Sequence, residues 1–312
     1  MNEHNNRGRL HGLATHPLVS RKGSRSGARP EREKTMMKRA GLVVAASALL
    51  GGIGQAAEPV TNLGVDELVR KSNHMALYQG TDGRGRVSML ITDNQGRTRR
   101  REFTMLRRDV GDNDQDQSYF VLFNEPPDVR RMVFMVHKHA APGREDDRWL
   151  YLPGLDLVKR IAASDKRTSF AGSDFLYEDI SGRNITEDRH ELLRTTDRHH
   201  VLKNTPRKPG SVEFAYYLAY LDKKSLMPVK LEFYKKPERL YRVIEVLRME
   251  EIQARQGERR VVYPTVTRSV ARNLDTGSRT EMVFSHIGYN GGLKEELFSE
   301  RYLRKPPREA LR

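Results

Sequence analysis

The sequence predicts a mainly β protein whose antiparallel sheet curls into a barrel or an open half-barrel. Three observations lead there. From Val87 onward the apolar residues recur at every second position, the period of a strand. Several runs, Tyr119 to Phe123 and Met132 to Val136 first among them, are apolar on both faces and so require cover on two sides. Short turn signals, not long crossovers, join the runs, which makes successive strands antiparallel.

Ahead of the strands, Val65, Leu68, Val69, Ser72, Met75 and Ala76 stand at helical spacing, predicting one helix over 64–79 with Gly80, Gly83 and Gly85 ending it. Val87, Met89 and Ile91 then form a strand, Asp93-Asn94-Gln95-Gly96 a turn, and Phe103 and Met105 the return of a hairpin. Further strands are expected at Trp149 to Leu152, Phe214 to Leu221, Val229 to Phe233, Leu240 to Leu247, Val261 to Val270 and Arg279 to Ile287. Pro142-Gly143, Pro153-Gly154, Pro209-Gly210, Gln256-Gly257 and Asp275-Thr276-Gly277 punctuate them. The total is about ten or eleven strands, too many for an antiparallel sheet to stay flat. No linker of distinct composition divides 58–312, which reads as a single domain.

Bulk properties narrow the function. The 312 residues have a mean hydropathy of −0.72 and 31% charged residues, which excludes a bundle of membrane helices. Without cysteine there is no disulfide, thiolate nucleophile, cysteine-based zinc site or lipidated cysteine. The net charge of +15 suggests nucleic acid, but its distribution does not. Residues 1–57 hold 10 Lys/Arg against 3 Asp/Glu, and the remainder 46 against 38, with no basic run interleaved with aromatics. No nucleic-acid partner is expected.

The N-terminal segment has the layout of an export signal. Residues 1–35 are polar and basic, without periodicity, and read as a disordered extension. Met36-Met37-Lys38-Arg39 then precedes an apolar core over 40–54 that is short for a membrane span. Gly54-Gln55-Ala56 places cleavage after Ala56, with Ala57 the alternative, and translation starting at Met36 or Met37 instead of Met1 would explain the extension. A periplasmic location follows. The 1–57 leader and the 58–312 domain are the two expected parts.

Residues 170–182 interrupt the strand pattern. Ser173 or Asp174 is placed to cap a short helix bearing Phe175, Tyr177 and Ile180, and such a helix either lids the sheet's hollow or fills its core. On the strands, Phe123, Met135, Tyr216, Leu218 and Phe233 belong to an apolar surplus beyond what one packed face needs, which favours a cavity.

Enzymatic and metal constellations are missing from the pattern. There is no Gly-x-Ser-x-Gly elbow, no His-Glu-x-x-His and no glycine-rich phosphate loop. His137 and His139 share a strand face without further ligands nearby and read as an exposed strand end. Asp112, Asp114 and Asp116 imitate a calcium loop, but Gln117 and Phe123 occupy positions that need glycine and an acid. Glu178 and Asp179, adjacent on a helix, diverge. No catalytic residue, metal or cofactor is assigned.

The stretch Trp149-Leu-Tyr151-Leu-Pro153, followed by Val158-Lys159-Arg160-Ile161 and then Ser169-Phe170 through Phe175-Leu-Tyr177 to Ile180, resembles the signature of LolA-like outer-membrane lipoprotein-sorting proteins. The subgroup it is most similar to is often encoded beside large resistance–nodulation–division (RND) exporters. The turn Asp222-Lys-Lys-Ser225-Leu-Met-Pro228 and the ending Leu297-Phe298 to Leu303 also fit. The resemblance runs over residues 64–306.

It implies an open half-barrel of about eleven strands, its concave face covered by helices and its apolar hollow receiving acyl chains. The expected protein is a monomeric periplasmic carrier of a lipid or a lipoprotein acyl chain, working with an RND-type inner-membrane exporter and without a cofactor. Phe123, Met135, Trp149, Tyr151, Phe170, Phe175, Tyr177, Tyr216, Leu218 and Phe233 are the cavity and lid candidates. Lys159 and Arg160 are the headgroup candidates. The alternative is an RseB-like sensor that binds a protein, though such sensors usually carry a second C-terminal domain.

Overall fold

The structure, a computed structural model, describes residues 63–311. The leader, its apolar core and the cleavage positions therefore lie outside the described residues.

Two antiparallel meanders make the sheet. The first comprises β1 (Asp82–Thr92), β2 (Thr98–Val110), β3 (Asp116–Glu125), β4 (Val133–Lys138), β5 (Asp147–Leu152) and β6 (Leu157–Arg160). The second comprises β7 (Asp188–Thr195), β8 (His199–Pro206), β9 (Tyr216–Asp222), β10 (Pro228–Lys235), β11 (Arg239–Gln256), β12 (Arg259–Asn273) and β13 (Ser278–Tyr289). β1 pairs with β13 and welds the meanders into one sheet of thirteen strands, running from β6 at one edge to β7 at the other. Among the described residues β6 and β7 do not pair, so the barrel is open.

The strands exceed the expected ten or eleven: β6, β7 and β8 are not among the runs named from the sequence, and β6 and β7 carry little periodic signal. β7 is exposed along most of its length and β6 along nearly all of it, as suits strands at a sheet edge, where charge discourages further pairing. Neither has the apolar face by which a buried strand is recognised.

The helix α1 (Val65–Leu77) lies across the inner face of the sheet and forms as expected. Leu68 and Val69 are buried against Leu202 and Ala219, while Asp66 and Glu67 place negative charge at its N-terminal turn. Its last carbonyls are capped from the sheet. Leu77 O accepts from Arg107 Nη1 and from Gln117 Nε2, both at 2.9 Å. The helix thus ends before Gly80, and Gly83 and Gly85, expected as its stop, belong to β1.

The connection 161–187 crosses the same inner face. Phe170 sits at the centre of an aromatic cluster, its ring 5.6 to 5.8 Å from those of Phe103, Phe123, Phe134 and Tyr177. The short helix α2 (Tyr177–Ser181) starts later than expected, and neither Ser173 nor Asp174 caps it. Leu176 N donates instead to the Asp179 carboxylate at 2.6 Å. Asp174 accepts from the Ser278 and Thr280 hydroxyls and fastens the connection to β13.

The outer face has its own core. Leu106, Phe120, Leu122, Val133 and Met135 pack against Leu293, Leu297, Phe298, Leu303 and Ala310 of the C-terminal segment, which includes α3 (Arg301–Arg304) and α4 (Arg308–Leu311). This cover is what makes β3 and β4 apolar on both faces. The doubly apolar runs are therefore accounted for partly by the outer wrap and only partly by a hollow.

Candidate functional site

Two cavities open on the inner face beneath α1. The first, of about 290 Å³, is lined by Met105 of β2, Met282, Phe284 and Ile287 of β13, and the last turn of α1. The second, of about 270 Å³, is lined by Val69 of α1, Leu202 of β8, Ala219 of β9, Leu231 and Phe233 of β10, and Ile244 of β11. Each lies near the lower end of the range typical of small-molecule sites, roughly 300–1,000 Å³, and each has mostly apolar walls. Ala76, Leu77, Phe175 and Asp179 border both and form the wall between them.

Glycine makes the first cavity. Gly83 and Gly85 face Arg107 and Met105 in the β1–β2 ladder and occupy the inner-face parity of Val87 and Met89. The sheet carries no side chain at those two places, so space remains under α1. A Cβ added at Gly83 or Gly85 would come no closer than 3.5 or 3.7 Å to the Tyr289 and Ile287 side chains, so neither glycine is imposed by contact.

A seam in the sheet lies beside this cavity. The β12–β13 ladder stops at Arg268 and Val283, and beyond it β12 pairs only with β11, and β13 only with β1. Side chains bridge the gap. The Thr265 hydroxyl and the Tyr289 phenol are 2.9 Å apart, and Asn290 Nδ2 donates to the Tyr263 phenol at 3.1 Å. Gln79 Nε2, from just past α1, donates to Pro264 O, fastening the roof to β12.

The polar groups of the inner face hold the connection 161–187 to the sheet. Arg242 of β11 pairs with Asp179 and donates to Asp174 O at 3.2 Å. Arg183 binds Asp188 at 2.9 and 3.0 Å and Glu178 at 3.2 Å, and Lys166 lies 3.5 Å from Glu178. Burial pushes the Glu178 carboxyl upward, against the pull of Arg183 and Lys166. Lys138 Nζ donates to Ser181 O at 2.7 Å, and burial pushes its ammonium down to about 8. Glu178 and Asp179 do diverge, each with its own cationic partner.

The expected site residues separate into distinct places. Phe175 borders both cavities and Phe233 borders the second. Phe123, Phe170 and Tyr177 lie together in the inner-face core. Met135, Trp149 and Tyr151 belong to the outer-face core under the C-terminal segment. Tyr216 and Leu218 share the opposite strand parity from Tyr217 and Ala219, and Tyr216 stacks on Tyr234 with centroids 4.8 Å apart. Lys159 and Arg160 are exposed on the edge strand β6, where Arg160 pairs with Asp147 and covers the Trp149 ring, and neither lines either of these two cavities. Met75, Met105, Met282, Leu231 and Ile244, which do line the cavities, were not singled out from the sequence. Gly83 and Gly85 had a legible signal, since they continue the period-two series of Val87, Met89 and Ile91.

His137 and His139 are not an exposed strand end. His137 Nε2 is 2.6 Å from Phe298 O, and the buried His139 lies between Asp116 and Asp147, at 2.9 and 3.1 Å. Among the described residues no group of three or more such side chains is arranged to hold a metal ion. Asp114, in the exposed acidic turn, meets His74 at 2.8 Å.

Comparison with known proteins agrees with this architecture. A family model described only as that of an uncharacterized-protein-like family matches residues 115–305. A DUF1329 family protein from Desulfovibrio piger is similar in structure, with a TM-score of 0.67 and 26% identity over 77% of this chain and 97% of its own. A putative outer membrane lipoprotein-sorting protein domain from Vibrio parahaemolyticus gives a TM-score of 0.66 and 26% identity over the same shares. A LolA superfamily protein from Nitrosomonas europaea shares the fold, with a TM-score of 0.58 and 18% identity over 77% of this chain and 100% of its own. No curated protein matches the sequence.

Proposed function

Because the chain belongs to the LolA-like family, we propose that it is a periplasmic carrier that holds the alkyl part of a lipid, or a lipoprotein's acyl chain, on the inner face of its open sheet. The observation that carries this reading is the pair of apolar cavities under α1, built at one end by glycines on the inner face and at the other by the small side chain of Ala219. Phe175 and Phe233 are the expected residues that would touch the chain. Each methylene withdrawn from water stabilises the complex by about 0.8 kcal/mol, so even a partly inserted chain is retained yet remains exchangeable. Delivery at the membrane would fall to a partner, and an RND-type inner-membrane exporter is the one we propose.

The test is gentle purification of the protein from the periplasm of its native host, followed by mass spectrometry of an organic extract. A lipid recovered in stoichiometric amount supports the carrier. An empty extract together with no binding of a fluorescent fatty acid overturns it, and a sensor that binds a protein becomes the better reading.

A further inference from the structure

The carrier reading leaves open how many alkyl chains the inner face holds, and the wall between the cavities bears on that. The two cavities are nearly equal in volume, about 290 and 270 Å³. They meet at Phe175 and Asp179 below Ala76 and Leu77. Phe175 is buried and held on both sides by backbone hydrogen bonds: its carbonyl accepts from Phe170 N at 2.8 Å and its amide donates to the Ser173 hydroxyl at 3.2 Å. Asp179 is paired with Arg242, which is itself buried and lines the second cavity.

An alkyl chain threading from one cavity into the other would have to lie along this ion pair. An apolar chain there strips remaining water from the charges and returns no hydrogen bond. Two chains, one on each side, end beside the ion pair without crossing it, and use both apolar surfaces. The polar linkage that joins the two chains then falls at the wall, where Arg242 has N–H groups to give and Asp179 oxygens to receive.

Resting on the carrier reading, we infer that the ligand is an amphiphile with two alkyl chains, one lodged on either side of the Phe175–Asp179 wall, joined by a polar ester or amide linkage beside Arg242. The two cavities are then separable binding sites for single chains.

The experiment measures stoichiometry by native mass spectrometry on the purified protein, with palmitate as the single-chain probe and dipalmitoyl phosphatidylglycerol as the two-chain probe. The wild type is expected to take two palmitates or one phosphatidylglycerol. G85L, with G83V as a second variant, fills the first cavity, and A219L, with Leu231→Phe as a second variant, fills the second. Each variant that retains the wild-type circular dichroism is expected to take one palmitate and to bind phosphatidylglycerol at least tenfold more weakly. One palmitate in the wild type, or two in a filled variant, overturns the two-chain assignment and leaves the carrier standing. Failure of the wild type to bind either probe overturns the carrier, and this inference with it.

Discussion

Arg107 closes the end of α1 by donating from its guanidinium to Leu77 O at 2.9 Å. The same side chain reaches Gln79 O and Gly80 O at 2.7 and 2.8 Å and pairs with Asp109 at 2.7 Å. One buried arginine on the sheet thus satisfies three carbonyls of the chain as it leaves the roof of both cavities. Gln117 Nε2 shares Leu77 O with it at 2.9 Å, and Gln79 Nε2 caps Met75 O at 2.8 Å.

Replacing Arg107 with methionine keeps the aliphatic bulk and removes every one of these bonds. Hydrogen bonds from a charged donor contribute about 1.5–3 kcal/mol each when singly removed, and neighbours in one network are not additive. We expect R107M to lose about 3 kcal/mol in urea unfolding. Amide exchange in 74–80 should accelerate more than in β3. Uniform acceleration across the sheet would mean that Arg107 supports the fold at large and not the roof.

Phe170 and Phe175 lie five residues apart and should behave differently. Phe170 is enclosed by four rings, so Phe170→Ala should cost about 3–5 kcal/mol by cavity formation. Phe175 already borders empty space, and its truncation should cost less than half as much while weakening binding of a fatty-acid probe. Chemical unfolding and probe titration of both variants decide this. Equal stability losses with unchanged probe affinity for Phe175→Ala would remove Phe175 from the site.

Much of the architecture could be read from residue spacing. Val87, Met89 and Ile91 are on the inner face as their alternation demands, and α1 follows the spacing of Leu68 and Val69. What escaped was decided by contacts remote in sequence. Phe134 and Met135 are adjacent on one strand and so must face opposite ways, yet which one faces the hollow depends on where the C-terminal segment lies. That segment claims Met135, Trp149 and Tyr151, and the inner face keeps Phe123 and Phe134. Trp149 and Tyr151 take the side of Met135 because they stand opposite Met135 and Val133 in the β4–β5 ladder. Gly83 and Gly85 stood in the period-two series of Val87 and Met89 but were read as a helix stop, because a glycine marks a helix stop and an empty place on a strand with the same letter.

Lys138 gives a pH dependence whose sign can be worked out. Burial lowers its ammonium from the ordinary 10.5 to about 8 in the folded protein. Between these values the unfolded chain binds more protons than the folded one, so the stability due to Lys138 rises with pH. The penalty is complete below about 8 and gone above the ordinary lysine value of about 10.4. Burial also holds the Tyr78 phenol above its usual range, which opposes this trend once free tyrosine ionises, so the useful window ends before pH 10. From pH 7.5 to 9.5 the wild type should gain about 2 kcal/mol relative to Lys138→Met in urea unfolding. A difference that stays constant across the window would show that Lys138 keeps its charge at ordinary strength in the folded state.

Trp149 is the only tryptophan of the chain, and it reports on the outer face. It packs with Met135 and Phe298 and touches the His137 ring, with centroids 4.9 Å apart, while both cavities lie across the sheet. Saturation with a fatty acid should therefore leave its emission maximum unchanged. Phe298→Ala opens the C-terminal cover, admits water to Trp149 and should shift the emission to longer wavelength, with a loss of about 3–5 kcal/mol. These two results together would separate the outer core, which stabilises the sheet, from the inner hollow, which binds. An emission shift on adding fatty acid to the wild type would place ligand on the C-terminal side and argue against the inner face as the site.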